Sequence, residues 1–202
     1  MSKANKSRRP MVFAAAFLVF AFPAEAHLNS TGMGPFYDGA MHFLMSPEDV
    51  VPVLALALLA GLRGVAFSRR ALFVLPAAWL FGGLLGLTAV STGGNAILGA
   101  AWFLLLGALL AAEAKLSLRA TTALAAVLGV SHGYLNGIGM GQPGAGPIAL
   151  LGLIVVIFAM IALAAAFVLQ LRAGWARIGV RVAGSWIAAS GLLMFGWAVR
   201  SG

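Results

Sequence analysis

Residues 147–171 read PIALLGLIVVIFAMIALAAAFVLQL, a run with no Asp, Glu, Lys or Arg. About 20 consecutive apolar residues are enough for a helix to cross the hydrocarbon core of a bilayer, and this run exceeds that length. The whole chain shares its character. Of 202 residues, 62% are apolar and 9% are charged, and the mean hydropathy is +1.01. A soluble domain carries roughly 25% charged and 45–50% apolar residues. The composition therefore excludes an ordinary soluble globular protein, a disordered chain and a nucleic-acid-binding domain. There is no cysteine, so disulfides, thiolate metal sites, iron–sulfur ligation and cysteine nucleophiles are excluded too.

Outward from this run, five breaks divide the apolar sequence into about six expected transmembrane helices. Their approximate bounds are 46–62, 71–90, 96–112, 119–138, 147–171 and 176–199. The expected fold class is all-α, a polytopic membrane protein with one transmembrane domain at 27–202 behind a cleaved signal peptide at 1–26. Ser46-Pro47-Glu48-Asp49 is a helix start, with a Ser N-cap, Pro at the first position and an acid three residues after the cap. Gly93-Gly94-Asn95 and Gly141-Gln142-Pro143-Gly144 read as turns between spans. The signal peptide has a basic start (Lys3, Lys6, Arg8, Arg9), a short apolar run from Met11 to Phe22, and an A-x-A site ending at Ala26. The alternative is an uncleaved N-terminal anchor. Cleavage after Ala26 would make His27 the first residue of the mature chain.

The formal net charge of +8 reports orientation. Arg63, Arg69 and Arg70 lie between spans one and two. Lys115 and Arg119 lie between three and four, and Arg172, Arg177 and Arg181 between five and six. The alternate connections, 91–95 and 139–146, carry no charge. By the positive-inside rule the charged loops are cytoplasmic and the mature N-terminus faces outward, in a bacterial inner membrane. Arg200 is a single exception at the C-terminus.

Polar chemistry is scarce, so its placement is informative. Past the signal, the acids other than Glu113 are Asp38, Glu48 and Asp49, and the histidines are His27, His42 and His132. His27, Asp38, His42, Glu48 and Asp49 precede or begin the first span. His132 and Asn136 fall in the outer half of the fourth, so all seven residues are expected to converge on one outer layer. Asp38 and His42 are four apart, as are His132 and Asn136, so each pair shares a face if helical. A mature His27 offers an amine and a ring nitrogen to one metal ion, both of which must be neutral to bind. Carboxylates with imidazoles suit nickel, cobalt, zinc or copper(II), whereas nearby Met33, Met41, Met45 and Met140 favour copper(I). Each feature also has a structural reading. Glu48 and Asp49 complement a helix N-terminus, Asp38 suits a turn, and methionines pack membrane cores. His132 is the hardest to explain this way, because ionisable residues inside spans face a cavity or a partner. Gly82, Gly83, Gly86, Gly184 and Gly191 read as close helix contacts.

FYDGAMHFLMSPED at 36–49 and SHGYLNG at 131–137 resemble the two signature stretches of the HupE/UreJ family of hydrogenase- and urease-accessory membrane proteins. Phe36, Gly39 and His42 match the first motif, but its Asp-His pair is replaced by Glu48-Asp49. His132, Gly133 and Gly137 match the second, with Asn136 in place of a second histidine. The signal, a histidine at the mature start, six spans and the ending VAGSWIAASGLLM are similar as well. The resemblance implies a nickel permease, and the two lost histidines mark a divergent branch.

The expected function is thus a permease for a nickel-like divalent cation, and the protein is not an enzyme. The cargo is nickel first, then copper, cobalt or zinc, and a non-transporting metal-holding or metal-delivery protein is the alternative. Partners are the ion, the bilayer, and a homo-oligomer or metalloenzyme-maturation proteins, with no nucleic acid.

Overall fold

In the computed structural model, which describes residues 31–89, 96–140, 146–171 and 174–201, every regular element is an α-helix. The expected signal peptide, His27, the two glycine-rich turns and Arg172 lie outside the described residues. The helices are α1 (Pro35–Met45), α2 (Pro47–Arg63), α3 (Val65–Leu87), α4 (Ala96–Ala111), α5 (Leu118–Met140), α6 (Gly146–Gln170) and α7 (Gly174–Ser201). Helices α2 to α7 correspond to the six expected spans. Only α1 is an addition. It begins where Gly34, at φ 101, lets the chain enter a helix whose first residue is Pro35.

Length and composition alone qualify α3, α6 and α7 as spans, or four spans if α1 and α2, which meet at 74°, count as one broken span. The other two expected spans fall short for identifiable reasons. Helix α4 has 16 residues, about 24 Å at 1.5 Å per residue, against a core of about 30 Å. Helix α5 is long enough, but His132, Asn136 and its hydroxyl residues dilute its apolar character.

The start of α2 is a partial correction. Ser46 stands at the N-cap and Pro47 at the first position, yet the serine hydroxyl caps nothing in α2. It donates instead to the carbonyl of His42, 2.7 Å away, at the end of α1. A serine hydroxyl bonding the carbonyl four residues earlier is a common local alternative to capping.

Helix α2 sits at the centre, touching α1, α3, α4, α5, α6 and α7. Around it, α3 packs on α5, α4 on α7, and α1 on α6. Glycines set these contacts. Gly129 lies against Leu75, Gly133 against Trp79 and Gly137 against Gly83, so α3 and α5 run parallel with their backbones touching. Gly107, Gly184 and Gly191 bring α4 and α7 together in the antiparallel sense. Gly39 abuts the backbone of Ala149, and Gly152 that of Phe36. Lipid offers no hydrophobic drive between helices, so close packing at small residues is a main source of their association. The five glycines expected to make close contacts do so: Gly82 lies against Val130, Gly83 against Leu150, Gly86 against Tyr134, Gly184 against Ala111 and Gly191 against Leu104.

One end of the bundle is basic. Arg63 donates to the carbonyl of Leu116 across 3.3 Å, Arg177 pairs with Glu113, and Arg181 donates to the carbonyl of Ala111 at 3.1 Å. His132 and Asn136 of α5 and the acidic start of α2 lie away from that end.

A Cβ at Gly133 would collide with the carbonyl of Trp79, whereas one at Gly139 meets nothing within 4 Å. Gly133→Ala is expected to cost about 1–3 kcal/mol of overpacking, outweighing a helix-propensity gain of about 1 kcal/mol. Gly139→Ala is expected to keep or slightly raise stability. Thermal unfolding of the two variants in detergent checks the contrast.

Candidate metal centre

Asp49 occupies the third position of α2, where partial positive charge at the helix N-terminus favours a carboxylate. It is 3% exposed, His132 4% and Asn136 7%. A carboxylate this deep in an apolar bundle is tolerable only if its oxygens are bonded. Both are. Oδ1 lies 2.8 Å from His132 Nδ1, and Oδ2 accepts from Asn136 Nδ2 at 3.0 Å. The same amide donates to the carbonyl of His132 at 3.1 Å, which fixes the NH2 side of Asn136 toward these two acceptors.

This arrangement leaves a defined remainder. With Nδ1–H donated to the carboxylate, a neutral His132 presents a lone pair on Nε2. Asn136 presents Oδ1. Both atoms are buried and have no hydrogen-bond partner among the described residues. A histidine that donates one nitrogen to a carboxylate and offers the other is the usual state of a metal-ligating imidazole. Pro52, buried in the next turn of α2, has no N–H, so the carbonyl of Glu48 lacks its ordinary helical partner beside the same site.

The walls are aromatic. The Trp79 ring lies 5.4 Å from the His132 ring and the Trp102 ring 6.3 Å from it, centroid to centroid. Phe43 of α1 packs edge-on against Trp79 at 5.9 Å. The indole N–H groups of Trp79 and Trp102 are also buried without an acceptor among the described residues. Sequence reading missed these three residues. No motif or spacing distinguishes them from the other aromatic residues of a membrane protein.

Of the seven expected residues, Asp49, His132 and Asn136 come together. Asp38 does not join them: its Oδ1 accepts from the Thr31 amide at 2.5 Å and from the Thr31 hydroxyl at 2.7 Å. Glu48 is exposed, since adjacent helical residues point about 100° apart. His42 is half-buried on α1, one residue before Phe43. His27 is outside the described residues. Among the described residues, no three His, Cys, Asp or Glu side chains are grouped so that they could hold a metal ion. Met140 is fully buried, whereas Met33 and Met45 are largely exposed.

A family model described as HupE / UreJ protein matches residues 15–194, most of the chain. Comparison with curated proteins and with solved structures returns no match.

Removing the carboxylate strands two donors in the core. Asp49→Ala is expected to destabilise the protein by about 3–5 kcal/mol, and Glu48→Ala to change stability by less than about 0.5 kcal/mol. Chemical unfolding in detergent measures both.

Proposed function

The chain belongs to the HupE/UreJ family, and from that membership and the buried Asp49–His132–Asn136 group we propose that it is a permease for a transition-metal ion, nickel first. The observation that carries this reading is the pair of unpartnered acceptors, His132 Nε2 and Asn136 Oδ1, held in place by one buried carboxylate. An imidazole nitrogen with an amide oxygen suits a divalent ion of intermediate softness: nickel, cobalt, zinc or copper(II). Two neutral ligands hold such an ion weakly enough to release it, which conduction requires. Asp49 sets the imidazole tautomer and offsets the charge of the cargo. His27, Asp38, His42 and Glu48 belong to the approach, on the outer face of an inner membrane whose cytoplasmic side is the basic end. No enzymatic activity is part of this reading.

One observation favours a second reading, a membrane protein that holds or delivers a metal, copper included, without transporting it. Toward the basic end the buried or half-buried hydroxyls of Ser68, Thr121 and Thr122 each bond the carbonyl four residues earlier, so they do not form a line of open ligands.

Uptake of nickel by vesicles containing the purified protein decides between them. Accumulation well beyond one ion per chain is expected. Saturation at protein stoichiometry overturns transport and leaves the second reading, and absence of binding overturns both. In the same assay His132→Ala is expected to abolish uptake and Asp49→Ala to weaken metal affinity about 10–100-fold, the usual cost of losing a carboxylate behind a ligating histidine. Leu163→Ala, a change at an exposed side chain outside the site and the approach, is expected to stay within about twofold of the parent.

A further inference from the structure

Arg69 and Arg70 stand in the second turn of α3, at the basic end of the bundle. Of the other basic residues there, Arg63 bonds Leu116, Arg177 pairs with Glu113 and Arg181 bonds Ala111. Lys115 and Arg119 are exposed like Arg69 and Arg70 but do not line the groove described next. Arg69 and Arg70 are exposed and make no hydrogen bond or ion pair with any described residue. Together they edge an open groove of about 470 Å³ between α3 and the start of α5, lined otherwise by Ala66, Phe73, Val74 and Leu118.

The groove is chemically two-part. Two unpaired guanidiniums, rich in N–H donors of fixed geometry, match the phosphate of an anionic group. Beside them, Phe73 and Val74 continue up α3 away from the basic end, into the part of the helix that qualifies as a span. Phe73 is 62% exposed, a large ring presented outward and 6.0 Å, centroid to centroid, from the ring of Phe158. A free phosphate would use the arginines and leave the apolar wall unused. A zwitterionic lipid would use the wall and offset the arginines with its own cation. We infer that this groove binds an anionic phospholipid, its headgroup phosphate on Arg69 and Arg70 and an acyl chain along Phe73, Val74 and Leu118. Basic pockets between helices at a membrane face are a known means of retaining such lipids. The site is separate from the Asp49–His132–Asn136 group, and its occupancy does not depend on what that group carries.

The test uses the full chain, purified in detergent and followed by thermal unfolding with three additives: phosphatidylglycerol, phosphatidylcholine of the same chain length, and inorganic phosphate. Phosphatidylglycerol is expected to raise the midpoint, and the other two to leave it unchanged. Lipid competition should show a preference for phosphatidylglycerol on the order of tenfold, a few-fold from each guanidinium near the headgroup. Arg69→Gln/Arg70→Gln is expected to lose that preference. Ala66→Trp, which keeps both charges and fills the groove, is expected to lose it also, and serves alone if the double variant does not fold. Retention of the preference in Ala66→Trp overturns the site, as does an equal shift with phosphatidylcholine or with inorganic phosphate.

Discussion

Burying one carboxylate among apolar helices is the constraint from which the polar centre follows. Asp49 lies near the N-terminus of the central helix, 3% exposed and so cut off from bulk solvent. It must therefore recruit donors from other helices, and α5 supplies both, His132 Nδ1 and Asn136 Nδ2. Once those are spent on Asp49, the second ends of the same side chains are left over. The unpartnered Nε2 and Oδ1 are the necessary complement of a satisfied carboxylate, presented by residues that can no longer rotate freely.

The donors reach Asp49 at the right depth because α5 is locked against α3. His132 and Asn136 form one stripe of α5, and Gly129, Gly133 and Gly137 form another, one residue on and so about 100° around the helix. The glycine stripe lets the backbones of α3 and α5 touch, which turns the polar stripe toward α2. The same contact sets the Trp79 ring beside His132, because Gly133 rests on the Trp79 backbone. Within the seven residues of SHGYLNG, then, alternate demands are met side by side: small residues for approach, polar ones for the buried acid.

Much of this was legible in the chain itself, for physical reasons. Apolar runs punctuated by glycine and charge locate five of the six spans within two residues at each end, because a bilayer permits little besides helices. The exception is α3, which starts at Val65, six residues before the expected 71, and takes in Arg69 and Arg70. The depth of His132 and Asn136 followed from span counting, and the family resemblance seen in FYDGAMHFLMSPED and SHGYLNG agrees with the family match over residues 15–194. What stayed hidden was angular. Glu48 and Asp49 are indistinguishable as neighbouring acids until the rotation of α2 buries one and exposes the other. Asp38 is drawn to Thr31 by a local turn before α1, a short-range bond that no periodicity announces. Trp79 and Trp102 become walls of the site through packing between distant helices, and Ser46 spends its hydroxyl on the carbonyl of His42 in α1.

The distribution of free polar atoms also limits how an ion could cross. Around Asp49 the acceptors Nε2 and Oδ1 are open, but the hydroxyls of Ser68, Thr121 and Thr122 are already bonded to the carbonyls four residues earlier. A cation leaving His132 toward these hydroxyls would lose its nitrogen ligand and find each of the three able to replace it only after breaking its own hydrogen bond. Passage by a static relay of protein ligands would therefore be costly in an apolar interior. Passage with retained water ligands requires a wider gap than glycine-mediated contact leaves between α3 and α5. Under the permease reading, those two helices are the rigid part, and the displacement that opens an exit belongs to the helices packed against α2 on its other sides.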